Sequence, residues 1–296
     1  MTIQETLAEG KKLLKTPIPS SFVDTPDLDA VLLLSEVLHE NRVQLIAFGN
    51  KAISEQDRHK FFDLISRRKK GECIAYILGH KEFRGLEFIV NRHVLVPRPD
   101  TETLAEAALE YIDSTYETGT PRPKRSCLSL LDLCTGSGAI AVSLKNERPF
   151  LEVTAADIST EALETAKLNA DRLLNKGITL IQSDLFSTIT DTFNIIVSNP
   201  PYIPSGVIET LAPEVRQEPK IALDGGADGL VLVRKIISRA PEHLHQGGVL
   251  LLEAAPEQMQ EIKKLLEASG FIGIRIFKDL AGRERVISGK IDPIAG

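Results

Sequence analysis

The sequence predicts an α/β protein in which a small helical domain precedes a doubly wound, mostly parallel sheet. Over residues 1–70, apolar residues recur at helical spacing. From residue 128 onward, short apolar runs alternate with segments of helical pattern, as expected where helices connect parallel strands. The length of 296 residues also favours two domains, because a domain commonly takes about 150 residues. We therefore predict a helical domain over residues 1–80, a β-hairpin and linker over 81–100, and the sheet domain over 101–296.

The helices of the first domain are predicted from capping residues as well as from periodicity. Ser54 and Asp57 can cap a helix that runs to Lys70. That helix ends in the basic cluster Arg67-Arg68-Lys69-Lys70-Gly71, which is typical either of a nucleic-acid contact or of a helix C-terminus. We favour the helix C-terminus, because cations complement the helix dipole there and a glycine commonly follows.

The linker changes from helical to alternating spacing. Apolar residues alternate on either side of Arg84-Gly85, which predicts a β-hairpin. Prolines then interrupt the extended pattern, and Asp100 can cap a following helix that passes through Tyr111.

The elements of the sheet domain follow one another in regular alternation. The predicted strands are residues 128–133, 151–156, 178–182, 193–198, 249–253, 271–278 and 285–288. The predicted helices lie near residues 139–146, 160–175, 229–244 and 256–269. Only six residues separate the last two strands, so the sheet is expected to end in an antiparallel hairpin.

The composition excludes several classes of protein. Apolar residues make up 43% and charged residues 26%, which is close to the globular average and unlike disordered or fibrous chains. The net charge of −6 argues against a protein that binds mainly by neutralising phosphates. The three cysteines form no CxxC pair, which argues against a disulfide framework or a zinc ribbon and indicates a reducing compartment. With no secretory signal or membrane-spanning run, we expect a cytoplasmic protein.

A glycine-rich loop follows the first strand of the sheet domain. The chain there reads Asp132-Leu133-Cys134-Thr135-Gly136-Ser137-Gly138, and we call residues 134–138 the glycine loop. Glycines let a ligand lie against the main chain beside a helix N-terminus. Nineteen residues after Gly138, Asp157 ends the second strand, where a carboxylate can accept hydrogen bonds from both hydroxyls of a ribose. This pair of features predicts a nucleoside-containing cofactor.

The identity of that cofactor stays open on these residues alone. Gly136-x-Gly138-x-x-Ala141 also satisfies the dinucleotide fingerprint, so a nicotinamide enzyme is possible, and a packing turn without a ligand is the structural alternative. An acid just before the loop, here Asp132, favours S-adenosylmethionine. After the third strand, Asp184 and Leu185 suit the edge and the face of an adenine, although Asp184 is equally typical of a turn.

The fourth strand leads directly into Asn199-Pro200-Pro201-Tyr202, which we call the acceptor loop. A planar nitrogen is a weak nucleophile, and positive charge develops on it as it accepts a methyl group. The Asn199 side-chain oxygen and the Pro200 carbonyl could bind its two N–H groups and stabilise that charge. Tyr202 could stack on the flat substrate group. An Asx turn stiffened by two prolines is the structural alternative, but its place after strand four favours a methyltransferase acting on planar nitrogens.

From Gly71 to Gly289 the chain resembles one family of such enzymes, the HemK-like release-factor glutamine methyltransferases. The matching segments are Ala75-Tyr76-Ile77-Leu78-Gly79, Glu82-Phe83-x-Gly85, Val96-Pro97-Arg98-Pro99-Asp100-Thr101-Glu102, Thr135-Gly136-Ser137-Gly138-Ala139-Ile140-Ala141, Val197-Ser198-Asn199-Pro200-Pro201-Tyr202-Ile203, Glu218-Pro219, Ala222-Leu223-Asp224-Gly225-Gly226-x-Asp228-Gly229-Leu230 and Asp279-Leu280-Ala281-Gly282-x-Glu284-Arg285. Their combination is far more specific than any single motif.

The resemblance implies a class I S-adenosylmethionine-dependent methyltransferase fold, Rossmann-like, with a seven-stranded sheet and a small helical domain that recognises the substrate. It also implies methylation of the glutamine side-chain nitrogen in the Gly-Gly-Gln motif of class 1 peptide chain release factors. By resemblance, the cofactor-binding residues are Cys134, Thr135, Gly136, Ser137, Gly138, Asp157, Asp184, Leu185 and Asn199. Asn199, Pro200 and Tyr202 would be catalytic, Pro201 would join them in gripping the glutamine, and residues 98–102 would border the cofactor's tail. We expect a monomer without a metal, a membrane or stable nucleic acid.

The sequence departs from the family pattern at a few positions, and we expect these departures to affect only details of cofactor packing. Cys134 stands where the family usually has glycine, and we expect it to fit as a small side chain at negative φ. Cys73 replaces a usual proline, and Ala254-Ala255 lacks the customary glycine. The main rival is an adenine or guanine methyltransferase, which would need a basic cleft that the acidic sequence does not suggest.

Overall fold

The computed structural model describes residues 1–16, 23–117 and 128–292. The chain divides into two compact units. The N-terminal unit comprises residues 1–80 together with 211–217, and the sheet unit comprises residues 81–210 and 218–296. The inclusion of residues 211–217 in the N-terminal unit is not foreseen by the sequence pattern.

The N-terminal unit is built from helices around one apolar core. The helices are α1 (Ile3–Lys15), α2 (Pro26–Leu38), α3 (Arg42–Ala47), α4 (Glu55–Lys69) and α5 (Ile74–Leu78). Leu33, Leu34 and Phe61 are fully buried at its centre. The predicted cap of α4 is confirmed, because the Ser54 hydroxyl accepts a hydrogen bond from the Asp57 N–H at 3.0 Å.

The basic cluster at the end of α4 is a helix C-terminus. The helix ends at Lys69, and Gly71 follows with φ of 89°. One member of the cluster turns inward, because the Arg68 guanidinium is buried and lies 2.6 Å from carboxylate oxygens of both Asp29 and Glu214. An arginine in this setting is an internal ion pair rather than a contact surface. Its partner Glu214 belongs to the segment 211–217 of the same unit.

The predicted hairpin is present as β1 (His80–Phe83) and β2 (Leu86–Ile89). Its turn has positive φ at both Arg84 (51°) and Gly85 (73°), as a two-residue type I′ turn requires. A short 3₁₀ turn (Pro99–Thr101) and α6 (Glu102–Glu117) follow. The predicted role of Asp100 as a helix cap is wrong, since its carboxylate instead binds the guanidinium groups of Arg283 and Arg285 at 3.1 and 2.8 Å.

The sheet unit confirms the predicted fold class. Its remaining elements are β3 (Ser129–Leu133), α7 (Ala139–Glu147), β4 (Glu152–Asp157), α8 (Thr160–Leu173), β5 (Thr179–Gln182), β6 (Phe193–Ser198), α9 (Val231–Arg239), β7 (Leu244–Glu253), α10 (Met259–Ala268), β8 (Phe271–Lys278) and β9 (Glu284–Ile291). Within the described residues, seven strands form one sheet in the order β5-β4-β3-β6-β7-β9-β8. Neighbours from β5 to β7 are parallel, and β9 is antiparallel to both β7 and β8.

The largest difference from the predicted elements lies around α9. The predicted helix 229–244 is shorter, because α9 ends at Arg239 and a 3₁₀ turn (Ala240–His243) follows. Pro241 has no N–H to continue the helix, which accounts for the change. Strand β7 consequently begins at Leu244 rather than at residue 249. No helix in the described residues is long and apolar enough to cross a membrane.

The strand order creates a crevice at the carboxyl edge of the sheet. The chain runs outward from β3 to β4 and β5 and then returns to β6 on the other side of β3. Ligands of open α/β sheets bind where the order reverses in this way. The glycine loop follows β3 and the acceptor loop follows β6, so both predicted loops lie at this switch point.

Candidate active site

A pocket at the carboxyl edge of the sheet is lined by most of the predicted site residues. The predicted residues on its lining are Cys134, Thr135, Gly136, Ser137, Asp157, Asp184, Leu185, Asn199 and Pro201. Gly138, Pro200 and Tyr202 are not on the lining. Gly138 lies against α8, where a Cβ would meet the Cβ of Ala166 at 3.2 Å, so this glycine serves close packing at the start of α7.

The buried carboxylate of Asp132 holds the glycine loop in place through hydrogen bonds. One oxygen of Asp132 accepts hydrogen bonds from the Thr135 hydroxyl (2.6 Å) and from the Ala141 N–H (3.2 Å), which joins the loop to the first turn of α7. The other oxygen has no hydrogen-bond partner among the residues that the structure describes. Burial raises the pKa of Asp132 to about 7, although both hydrogen bonds oppose the shift.

Asp157 ends β4 and faces the same loop. One carboxylate oxygen accepts from the Gly136 N–H at 2.9 Å, and the other accepts from the Ser159 N–H at 3.0 Å. These hydrogen bonds lower its pKa, but burial outweighs them and raises it overall. Each oxygen keeps a lone pair for another donor, and the carboxylate lies on the pocket lining, as the predicted ribose contact requires.

The backbone at Cys134 corrects one expectation. The residue has φ of 59°, in the left-handed region, rather than the negative φ expected from the sequence. A non-glycine residue pays about 1–2 kcal/mol for this conformation, which explains why glycine is usual in the family pattern. The chain turns directly after this residue, where the Gly138 N–H donates to the Thr135 carbonyl at 2.9 Å. Burial and the carboxylate of Asp157 raise the pKa of the Cys134 thiol, so it stays protonated.

The segment after β5 also contains a residue in the left-handed region. Leu185 has φ of 51°, and the Ser183 hydroxyl donates to its carbonyl at 2.7 Å. Asp184 is exposed, and its N–H donates to the Ser187 hydroxyl at 3.1 Å. Asp184 is therefore a turn residue that also lies on the pocket lining, and its contact with an adenine stays a prediction.

Residues distant in sequence hold the acceptor loop. The Asn199 side-chain nitrogen donates to the Thr101 hydroxyl at 3.2 Å, and the Tyr202 hydroxyl donates to Glu253 at 3.4 Å. The Gln258 side chain donates to the Tyr202 carbonyl at 2.9 Å. Among the described residues, none donates a hydrogen bond to the Asn199 side-chain oxygen or to the Pro200 carbonyl.

A glycine-rich turn packs directly on the backbone of the acceptor loop. The Ile203 N–H donates to the Leu223 carbonyl at 3.0 Å, and the Gly225 N–H donates back to the Ile203 carbonyl at 2.8 Å. A Cβ on Gly225 would lie 2.8 Å from the Pro201 carbonyl oxygen, and one on Gly229 would strike the Tyr202 carbonyl. Only glycine therefore fits at these two positions.

Ion pairs connect the other motifs around the pocket. Arg98, on the lining, pairs with the buried carboxylate of Glu218. Arg285 bridges Asp100 at 2.8 Å and Asp279 at 3.3 Å. Three of the segments that carry the family resemblance, residues 96–102, 218–219 and 279–285, are thus joined by ion pairs.

Comparison with known proteins decides the family. The model of the PrmC N-terminal domain matches residues 5–79, and that of the Methyltransferase small domain matches residues 123–215. The chain is 41% identical to the Release factor glutamine methyltransferase of Neisseria gonorrhoeae, over 90% of this chain and 93% of that protein. It is 40% identical to the enzyme of the same name from Pseudomonas aeruginosa, over 92% of this chain and 95% of that one. The chain belongs to the release factor glutamine methyltransferase family.

The fold agrees with this assignment. A methyltransferase from Pyrococcus furiosus superposes with a TM-score of 0.50 at 21% identity, covering 72% of this chain and 92% of that one. The resemblance read from the sequence motifs is therefore confirmed. As a member of the release factor glutamine methyltransferase family, the protein is a methyltransferase.

Several residues that support the pocket and the acceptor loop were not predicted from the sequence in these roles. Asn169 on α8 is buried, and its side-chain nitrogen donates to the carbonyls of Ser137 (2.9 Å) and Ile89 (3.0 Å). It thereby ties the glycine loop to the end of the hairpin, and no pattern around it signals this role. Glu253 could have been found, because a carboxylate at the carboxyl end of a parallel strand is a candidate site residue. Thr101 lies within the predicted segment 98–102, but nothing in the sequence signals its hydrogen bond with Asn199.

Proposed function

We propose that this protein transfers a methyl group from S-adenosyl-L-methionine to the side-chain amide nitrogen of the glutamine in the Gly-Gly-Gln motif of class 1 peptide chain release factors, which supports translation termination. One observation carries the proposal. In a chain of this family, the acceptor loop follows β6 directly, and neither the Asn199 side-chain oxygen nor the Pro200 carbonyl accepts a hydrogen bond from the described residues.

The two acceptors suit the chemistry of an amide nitrogen. Its lone pair is delocalised into the carbonyl, so the nitrogen must become more tetrahedral and more positive as a methyl group approaches. Asn199 and Pro200 accept hydrogen bonds from its two N–H groups and stabilise that charge more in the transition state than in the ground state. Tyr202 orients the planar amide. The new N–C bond forms as the sulfur–methyl bond of the donor breaks, which leaves S-adenosyl-L-homocysteine, and one amide proton then leaves to solvent.

The pocket residues fit the methyl donor. S-adenosyl-L-methionine supplies a methyl group activated by a positively charged sulfur. Asp157 has lone pairs on both oxygens for the ribose hydroxyls, and Leu185 offers an apolar surface for the adenine. A Cβ built on Gly136 finds nothing within 4 Å, so the main chain there is open to a ligand. Residues 98 and 101 lie on the lining where the cofactor's tail is expected.

We further propose that the helical region of residues 1–80 recognises the protein substrate, which the match to the PrmC N-terminal domain supports. Residues 81–100 then form the linker, and residues 101–296 the methyltransferase domain. The protein acts in the cytoplasm as a monomer, without stably bound nucleic acid. The net charge of −6 favours a protein over a nucleic-acid substrate.

The test is methyl transfer from labelled S-adenosyl-L-methionine to a purified class 1 release factor. A matched release factor with the loop Gln→Ala substitution is the control, and ribosomal RNA is a third acceptor. We expect label on the wild-type release factor alone. Label on both release factors would contradict the glutamine assignment, and label on the RNA alone would support the nucleic-acid rival.

A further inference from the structure

His243 is a buried histidine that does not line the pocket. It ends the 3₁₀ turn (Ala240–His243) before β7 and is 7% exposed. Its Nε2 has no hydrogen-bond partner in the described part of the chain. Burying a polar nitrogen without a hydrogen bond is unfavourable, so a purely apolar side chain would fill this position at lower cost. The contacts of the ring, rather than its burial, therefore account for a histidine here.

The imidazole makes two contacts with residues 183–192, which join β5 to β6 and which we call the β5–β6 loop. It stacks on Phe186, with the ring centroids 4.5 Å apart and the ring planes 7° from parallel. Its Nδ1 lies 3.2 Å from the Asp191 carbonyl oxygen. A carbonyl oxygen can only accept, so Nδ1 carries the hydrogen and donates it. His243 thus holds the loop near its middle and near its end.

The same loop presents two residues to the pocket. Asp184 and Leu185 lie on the lining, and Phe186 directly follows them. Leu185 has a φ of 51°, which a residue with a Cβ disfavours, so the surrounding contacts must impose this conformation. A hydrogen bond from the Ser183 hydroxyl to the Leu185 carbonyl, at 2.7 Å, shapes the loop internally. That bond does not fix the loop to the rest of the sheet unit, whereas the contacts with His243 do.

Phe186 connects His243 to the pocket. It is 3% exposed and belongs to the apolar core of the sheet unit. Because Phe186 directly follows Leu185 in the chain, a shift of Phe186 displaces this lining residue. Only a ring with an N–H at its edge makes both contacts of His243. A phenylalanine would stack without donating to the Asp191 carbonyl, and an asparagine would donate without stacking.

We propose that His243 is a positioning residue for the cofactor. By stacking on Phe186 and donating to the Asp191 carbonyl, it holds the β5–β6 loop so that Asp184 and Leu185 meet the adenine of S-adenosyl-L-methionine. This role rests on the adenine contact proposed for those two residues. It does not depend on which acceptor nitrogen is methylated.

The role predicts a graded loss of cofactor affinity. Where the loop samples other arrangements, only the fraction of molecules with Asp184 and Leu185 in place binds the adenine, and the apparent Kd rises by the inverse of that fraction. Each contact of His243 is of a kind whose loss changes an equilibrium about threefold. We therefore expect the Kd to rise about threefold in His243→Phe and in His243→Asn, and about tenfold in His243→Ala, which loses both contacts.

The first test measures the Kd for S-adenosyl-L-methionine by calorimetry in wild type and these three variants. The control is Leu266→Ala on α10, a helix that packs on β8 and β9 at the far end of the sheet from β5. Leu266 is fully buried, so this variant loses stability in urea titrations while its Kd should stay within about twofold of wild type. A wild-type Kd in His243→Ala would overturn the proposal. An equal rise in Leu266→Ala would assign His243 a merely structural role and overturn it too.

Steady-state kinetics separates positioning of the cofactor from damage to the acceptor loop. In His243→Ala the KM for S-adenosyl-L-methionine should rise with the Kd. The kcat at saturating cofactor and the KM for the methyl acceptor should stay within about twofold of wild type. A lowered kcat with an unchanged KM for the cofactor would contradict the inference.

Hydrogen exchange of the cofactor-free protein tests the loop itself. The Thr188 N–H donates to the Ser183 hydroxyl and the Ile189 N–H to the Phe186 carbonyl, both at 3.2 Å, so these two amides report on the loop. We expect them to exchange about tenfold faster in His243→Ala than in Leu266→Ala. Equal rates would refute the inference even in a protein that methylates the release factor. Faster exchange together with a raised Kd would uphold it, whichever acceptor is methylated. Faster exchange with a wild-type Kd would show that the loop does not position the cofactor and would overturn it.

Discussion

The glycine loop and the acceptor loop lie side by side at the carboxyl edge of the sheet, yet different parts of the chain hold them. The glycine loop is fastened by carboxylates that are near in sequence, Asp132 just before it and Asp157 at the end of the next strand. The acceptor loop is fastened by Thr101, which precedes it by almost a hundred residues, and by Glu253, which follows it by about fifty.

The difference follows from what each loop does. A cofactor's sugar and tail can be bound by main-chain groups at a sharp turn, so glycines and one adjacent carboxylate suffice. Two hydrogen-bond acceptors aimed at one nitrogen need a defined side-chain rotamer and a fixed carbonyl, which only neighbours from several segments can impose. We therefore expect substitutions near the glycine loop to change cofactor affinity and substitutions near the acceptor loop to change turnover.

The largest effect should come from the acceptor loop itself. Asn199→Ala removes one of the two acceptors and should lower kcat about 10²- to 10³-fold, the usual cost of a lost transition-state hydrogen bond. The affinity for S-adenosyl-L-methionine, measured by calorimetry, should be largely kept. A kcat equal to that of wild type would contradict the proposed mechanism. A loss of cofactor affinity as large as the loss of kcat would show that the two loops do not have separate roles.

On the cofactor side, Asp157→Ala should weaken binding of S-adenosyl-L-methionine by about 1–3 kcal/mol. The substitution removes the ribose acceptor and also leaves the Gly136 N–H without its partner. Asp171→Ala on α8, an exposed carboxylate paired with Lys167, is the control and should bind normally. Equal affinity in a titration of Asp157→Ala would contradict the assigned role.

The smallest effect concerns the turn that packs on the acceptor loop. Gly229 and Gly282 share a φ of 77°, but a Cβ would strike the Tyr202 carbonyl at Gly229 and meet nothing within 4 Å at Gly282. Gly229→Ala should therefore cost about 1–2 kcal/mol more unfolding free energy than Gly282→Ala. It should also lower kcat, whereas Gly282→Ala should not. Equal unfolding free energies of the two variants in urea titrations would show that the turn accommodates the added Cβ at no cost in stability.

The sequence predicted the parts of this molecule that depend on local chemistry. The glycine loop, Asp157 and the acceptor loop were recognised because strand, turn and ligand contact lie within a few residues of one another. Strand β6 was predicted at its observed bounds for the same reason, since it is mostly apolar and leads into Asn199 and two prolines. The fold class followed from the alternation of such strands with helices.

What the sequence did not reveal depends on tertiary neighbours. Asp100 has the features of a helix cap, but two arginines from the far end of the chain take its carboxylate. The positive φ of Cys134 could not be inferred from a residue that normally avoids it. Glu253 ends an apolar strand like any polar stop, and its contact with the Tyr202 hydroxyl becomes visible only when β6 and β7 are paired.

Residues 211–217 have a practical consequence for dissecting this chain. They belong to the N-terminal unit although the residues on either side of them belong to the sheet unit. Glu214 supplies the second carboxylate of the buried Arg68, and the Gln217 side chain donates to the Gly71 carbonyl at 2.7 Å. A fragment cut after residue 80 lacks both contacts. The helical unit is therefore not an exchangeable module, and grafting it onto a relative requires transplanting this second segment with it.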